Sequence, residues 1–242
     1  MTRSHGEATY FTVHRLRPHM SRSSEARVEP FPRVLTTDRL RLVAADTASV
    51  DPFELYEHCR EDAPGIERVT RYLTWEPYGT VNEAFEFLDA CESDFESGEA
   101  AHYAVFVGCE PEAGEFAGMA GLGVEWDRRL GTLGTWFREP FWGRGYSGER
   151  ARALMRVAFD RLGLEAVAVT CHAENEKSRR AIRKYVDAAG GREEGLLRNH
   201  TRYPDGVADS YRFSVTREEW AANLGPGSGV TSSDTDGADG EG

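Results

Sequence analysis

Between Leu133 and Leu162 the chain passes from a strand-like run, through a turn holding three glycines, into one amphipathic helix. That succession limits the folds open to the chain more than any other stretch. The run Leu133 to Phe137 leads through Trp142-Gly-Arg-Gly-Tyr-Ser-Gly148 into a segment where Ala151, Leu154, Met155, Ala158, Phe159 and Leu162 recur at helical spacing. A strand, a glycine turn and a helix N-terminus present backbone N–H groups to an anion. Gly143, Gly145 and Gly148 leave out the Cβ atoms that block close approach, and the helix dipole adds partial positive charge at the same point. Arg144 brings a side-chain charge there. The stretch predicts an anion-binding site.

Around it, 242 residues with 40% hydrophobic content suffice for one sizeable core, and no apolar run approaches the ~20 residues that span a bilayer. The N-terminus lacks the continuous apolar stretch of a secretory signal. Net charge is −12, with six arginines against three acids over residues 1–35 and four acids without a base over 223–242. Most of the negative charge thus falls on the part expected to fold, which disfavours nucleic acid as a partner. Only two of the 29 basic residues are lysine, Lys177 and Lys184. An acidic, lysine-poor surface predicts work in high salt, where screening relieves self-repulsion. Cys59, Cys91, Cys109 and Cys171 are widely spaced, with no C-x-x-C. This argues against a metal site and against a disulfide framework, and for a reducing, cytoplasmic setting. Cys109 and Cys171 fall in strand-like runs as buried thiols.

Residues 1–35 show no sustained period and read as a mobile basic extension, with Met20 an alternative start to Met1. Residues 36–223 read as one domain and 224–242 as an acidic, disordered tail. The first strand is expected at Arg39–Ala44, and Asp51-Pro52 opens a helix to about Arg60. Val69–Trp75 reads as an aromatic connector. Thr80 and Glu83 form a capping box for a helix ending at Ser97-Gly98. Three strands follow at His102–Cys109, Glu115–Trp126 and Leu130–Phe137, and glycines 118, 121 and 123 suggest a bulge or close backbone contact in the second. After the glycine turn and its helix come a strand at Glu165–His172, a helix at Asn175–Tyr185, strands at Arg192–Asn199 and Asp209–Val215, and a short helix capped by Thr216 and Glu219. A helix joining the strand that ends at Phe137 to the one that starts at Glu165 makes those two strands parallel. The sheet is therefore mixed, in an α/β (α+β) domain.

Trp142-Gly-Arg-Gly-Tyr-Ser-Gly148 opening a helix resembles the acyl-CoA pyrophosphate loop of the GCN5-related N-acetyltransferase (GNAT) family. Asn175-Glu-Lys-Ser178 with Arg180 resembles that family's downstream N-x-x-S-x-R element. Thr37-Asp-Arg-Leu-Arg-Leu42, Gly195–His200, Tyr203-Pro-Asp-Gly206 and Asp209–Ser214 are similar to segments of its RimJ/RimL-like branch, which acetylates ribosomal-protein N-termini. Two departures stand out. Ser147 occupies the loop's third small position, and Tyr185–Arg192 replaces the shorter lysine–x–glycine–aromatic ending. The resemblance implies a mostly antiparallel sheet, helices on both faces, and a parallel pair splayed at the acetyl-CoA site. It implies transfer of acetyl from acetyl-CoA to a primary amine, most simply a protein N-terminal α-amine. Small amines and a non-catalytic acyl-CoA-binding role are the alternatives. A homodimer is compatible with the sequence, which fixes no oligomeric state.

The same resemblance supplies candidate residues. Backbone groups of Phe137 and Arg138 would pair with the pantetheine arm. Amides of Gly143, Arg144, Gly145, Tyr146, Ser147 and Gly148 would take the pyrophosphate, and Asn175 and Ser178 would hold the arm or the leaving thiolate. Glu125 is the first candidate base, as a carboxylate ending a strand, with a solvated strand-end acid the plain reading. Tyr211 is a candidate acid and His172 a second base, with core aromatic and surface histidine as their plain readings. His102 and His200 read as structural, and Trp126, Trp136 and Trp142 as core and cofactor wall. The letters Gly143-x-Gly145-x-x-Gly148 also match a dinucleotide fingerprint. That fold needs repeated β-α units after the loop, and the ordered residues that remain here, about 75 of them, include two consecutive strands instead.

Overall fold

A computed structural model describes residues 29–108 and 114–223. The elements run β1 (Val34–Thr36), β2 (Leu40–Ala44), α1 (Pro52–Cys59), α2 (Ile66–Thr70), α3 (Val81–Ser97), β3 (Ala100–Val107), β4 (Glu115–Glu125) and β5 (Leu130–Phe137). They continue with α4 (Tyr146–Arg156), β6 (Ala166–His172), α5 (Glu176–Ala188), β7 (Arg192–Tyr203), β8 (Gly206–Thr216) and α6 (Arg217–Asn223). A 3-10 turn, Glu139–Phe141, precedes the glycine loop, and α4 continues as a π-helical turn, Val157–Arg161.

The eight strands form one sheet in the order β1-β2-β3-β4-β5-β6-β8-β7. Every neighbouring pair is antiparallel except β5–β6, which the α4 crossover makes parallel. Alternation along the strands sends side chains to two separate cores. Leu133, Phe137, Val167 and Val169 pack with Leu154, Ile182 and Val186 of α4 and α5 on one face. Met119 and Trp136 pack with Leu55, Leu88 and Cys91 of α1 and α3 on the other.

The expected caps hold. Asp51 accepts the Phe53 amide at 2.9 Å, Glu83 the Thr80 amide at 2.8 Å, and Glu219 the Thr216 amide at 2.8 Å. Gly118, at φ +148°, is the close backbone contact expected of β4: a Cβ there would collide with the Trp136 carbonyl. Three readings change. Folding begins before residue 36, because Phe31 and Leu35 are buried in the core and β1 pairs with β2. The connector at Val69–Trp75 starts inside α2, a helix too short to show a period. Trp126 is 47% exposed, its indole N–H bonded to the Gly98 carbonyl, and so forms neither core nor cofactor wall. Cys109 lies outside the described residues.

The feature that positions the site is a gap in the sheet. β5 and β6 pair only from Leu130 with Ala166 to Leu133 with Val169. Beyond that, Gly134–Phe137 stays with β4 and Thr170–His172 with β8, so the two strands diverge into a wedge at their C-terminal ends.

Candidate active site

The glycine loop sits at the mouth of this wedge. Gly143 and Gly145 have φ of +75° and +84°, values that a side chain would strain, and a Cβ on Gly143 would meet nothing within 4 Å. The amides of residues 143–147 find no acceptor among the described residues, while Gly148 and Glu149 bond back to the Gly145 carbonyl. Five unsatisfied donors in an open cradle at the start of an eleven-residue helix fit an anion such as a pyrophosphate. The loop is held from both sides. Arg39 donates to the Arg144 carbonyl at 3.0 Å and lies over the Tyr146 ring, and Lys177 of α5 lies over Trp142.

Along the β5 edge, backbone groups alternate between the two neighbours. The Arg138 amide donates to the Ala117 carbonyl at 2.8 Å, and its guanidinium to the Phe116 carbonyl at 2.6 Å. Arg138 is therefore turned toward β4, which corrects its assignment to the pantetheine arm. Phe137 has the opposite orientation and presents its backbone to the wedge, where the Trp142 indole already bonds its carbonyl at 2.7 Å.

On the face carrying α4 and α5, Asn175 caps α5 by accepting the Ser178 amide at 3.0 Å. Ser178 neighbours the Cys171 thiol, whose pKa burial pushes up to about 11. Asn175 and Ser178 thus lie beside the diverging end of β6. Tyr211 pairs with Cys171 across β6 and β8, with the Arg179 guanidinium 3.5 Å from its ring centroid and Glu193 holding that arginine.

Glu125 is not at the wedge. It pairs with Leu130, where β5 and β6 are still joined, about 20 Å along the strand from Phe137. Its carboxylate meets Arg128 at 2.9 Å. The meander itself dictates this, since the last residue of β4 must face the first of β5.

Three residues that sequence patterns did not bring together meet at the wedge on the other face. Tyr72, just after α2, packs on His172 at 5.0 Å between ring centroids, and Tyr203 packs on it at 4.8 Å. His172 Nδ1 accepts the Glu174 amide at 3.1 Å, which orients the ring and leaves Nε2 as its second hydrogen-bonding atom.

Arg150 was also missed, because a charged residue within an amphipathic helix reads as solvated. It is 1% exposed, and its Nε and Nη1 lack hydrogen-bond partners. Burial lowers its pKa, against the favourable influence of Tyr185. The guanidinium lies 5.8 Å from the Tyr185 ring centroid, and Tyr185 in turn senses the Cys171 thiol. A guanidinium stays charged, so this is a buried cation without an acidic partner, packed against Tyr185 between α4 and α5. Among the described residues no cluster of His, Cys, Asp and Glu is arranged to hold a metal ion.

Comparison with known proteins bears on these features. Residues 39–185, more than half of the chain, match the acetyltransferase (GNAT) domain. An uncharacterised N-acetyltransferase of Bacillus licheniformis is 24% identical over 154 residues, covering 63% of this chain and 83% of that protein. A GCN5-related N-acetyltransferase structure from Brucella melitensis superposes with a TM-score of 0.65 at 25% identity, over 80% of this chain and 83% of that one. RimL, a ribosomal L7/L12 alpha-N-protein acetyltransferase, shares the fold with a TM-score of 0.63 at 18% identity, over 81% of this chain and 98% of its own. The splayed parallel pair, the glycine cradle and the matched domain agree, and the chain belongs to the GNAT acetyltransferase family.

Proposed function

We propose that this chain transfers acetyl from acetyl-CoA to a primary amine, with a protein N-terminal α-amine as the acceptor class. The observation that carries this reading is the continuity of the unsatisfied loop amides with the wedge between β5 and β6. The cradle at residues 143–148 suits the pyrophosphate, and Arg144 adds charge beside it. The Phe137 edge suits the pantetheine arm as an added strand. Bound acetyl-CoA supplies the activated acyl group, and the amine nitrogen bonds to the acyl carbon as the carbon–sulfur bond breaks.

The chain's own residues position and stabilise. Ser178, at the first turn of α5, donates toward the departing sulfur. Arg150 provides positive charge beneath the wedge, where negative charge develops. His172 Nε2 and Tyr203 face the acceptor side and orient the incoming amine. With Glu125 remote, proton removal falls to solvent, which suffices for an α-amine with pKa ~8. Support for a protein acceptor comes from the RimL-like fold and from the quoted 195–214 segment.

Thiol release from acetyl-CoA, measured with peptides bearing free N-termini and with small amines, tests this reading. Faster release with N-terminal peptides is expected. Release with no amine, despite acetyl-CoA binding, leaves the non-catalytic alternative. Mass spectrometry of N-termini in cells with and without the protein identifies the acceptor.

A further inference from the structure

The connector between α2 and α3 crosses the wedge on the face that carries α1 and α3. Tyr72 rests on His172 of β6, and Trp75 rests on Trp136 of β5 at 5.4 Å between ring centroids. Beside this crossing a cavity of about 600 Å³ opens between α1, the connector and α3. Trp75, Tyr78 and Trp136 wall it with aromatic rings. Trp136 belongs to the diverging half of β5, so one residue borders both the cavity and the wedge.

Four carboxylates, Glu61, Glu76, Glu83 and Glu86, also line the cavity. The Gly79 and Thr80 amides hold Glu83 at 2.6 and 2.8 Å, and the Asn82 side chain holds Glu86 at 2.7 Å. Among the described residues none of the four pairs with a basic side chain. Four carboxylates without a basic partner, beside aromatic faces, repel anions and give neutral groups no advantage, whereas a cation gains from both. The Trp75 indole nitrogen is shut off from solvent and has no hydrogen-bond partner, so the cavity meets this residue through its ring face.

We propose that this cavity is a specificity subsite for the acceptor, taking an ammonium or guanidinium group on a flexible stem. A basic side chain close to the amine being acetylated would seat its charge among the carboxylates. This assignment rests on the acetyl-transfer reading above.

The test separates the two ideas by using a ligand that cannot be acetylated at its α-amine. Nα-acetyl-arginine amide and its neutral isostere Nα-acetyl-citrulline amide are titrated against the full chain, following the fluorescence of Trp75 and Trp136. The arginine compound is expected to bind at least about tenfold more tightly and to compete with the acceptor but not with acetyl-CoA. The double variant Glu61→Gln, Glu76→Gln should reduce that preference to about twofold and raise the acceptor KM, leaving the acetyl-CoA KM unchanged. Equal binding of the two compounds in the wild type overturns the proposal, as does a preference that survives in the double variant. Charge-selective binding by a protein that acetylates no amine also overturns the assignment to an acceptor, and places the failure in the acetyl-transfer reading.

Discussion

Glu149 and Arg39 join the first turn of α4 to the hairpin at the opposite edge of the loop. The Glu149 carboxylate accepts the Arg39 amide at 2.8 Å and its Nε at 2.7 Å, and takes the Thr37 hydroxyl at 2.6 Å. Arg39 then reaches the Arg144 carbonyl, so one acid preorganises the whole glycine cradle. Glu149→Ala should lower the melting temperature and raise the acetyl-CoA KM together, by about tenfold for KM. Thermal melts and initial rates on the same preparation check both.

The same carboxylate gives a pH signature. Burial raises its pKa, but the bonds from Thr37 and Arg39 outweigh that and hold it below the usual carboxylate value. A group depressed in the folded state stabilises fully above its unfolded pKa, and that contribution is lost as pH falls through the folded value. Wild-type melting temperature should therefore fall as pH drops below about 4.5, and Glu149→Gln should show a shallower fall over the same window.

Glu125→Gln should leave turnover within about twofold, because its carboxylate lies at the joined end of β5 and β6 and is paired with Arg128. A large drop in kcat with intact folding would return it to the chemistry.

Gly145→Asp places both a side chain at φ +84° and a negative charge at the cradle. Acetyl-CoA affinity should fall by at least about 100-fold, with the melting temperature only modestly lowered. Calorimetric titration and a melt separate the two effects.

Arg150→Met removes a buried charge whose Nε and Nη1 have no partner. The cofactor-free protein should be as stable as the wild type or more so, since an uncompensated buried ion is costly. Turnover should fall by more than the acetyl-CoA KM changes. A variant that loses stability and keeps full turnover would assign Arg150 to the core alone.

Much of this site was legible in short-range signals. The glycine loop, the 3.6-residue period of α4 and the caps at Thr80 and Thr216 depend on neighbours within one or two turns, and each formed as its local chemistry required. The meander also carried information enough to exclude Glu125, since its pairing with Leu130 follows from the intervening turn. Other features depend on contacts between distant segments. Tyr72, His172 and Tyr203 converge from the connector after α2, from β6 and from β7, and no spacing within any one of them announces the others. Arg150 falls beside Ala151 and Leu154 on α4, but its burial is set by Tyr185, thirty-five residues later. Phe31 and β1 were hidden by brevity, a three-residue strand being too short to show alternation.

The connector that crosses the wedge has a mechanical consequence. It is fastened by rings to both diverging strands, through Tyr72 on His172 and Trp75 on Trp136. Anything that spreads β5 from β6 on one face must stretch or slide this strap on the other. Under the acetyl-transfer reading proposed above, an acyl donor seated between the strands would load this strap, and the width of the gap would set how tightly the rings close over it.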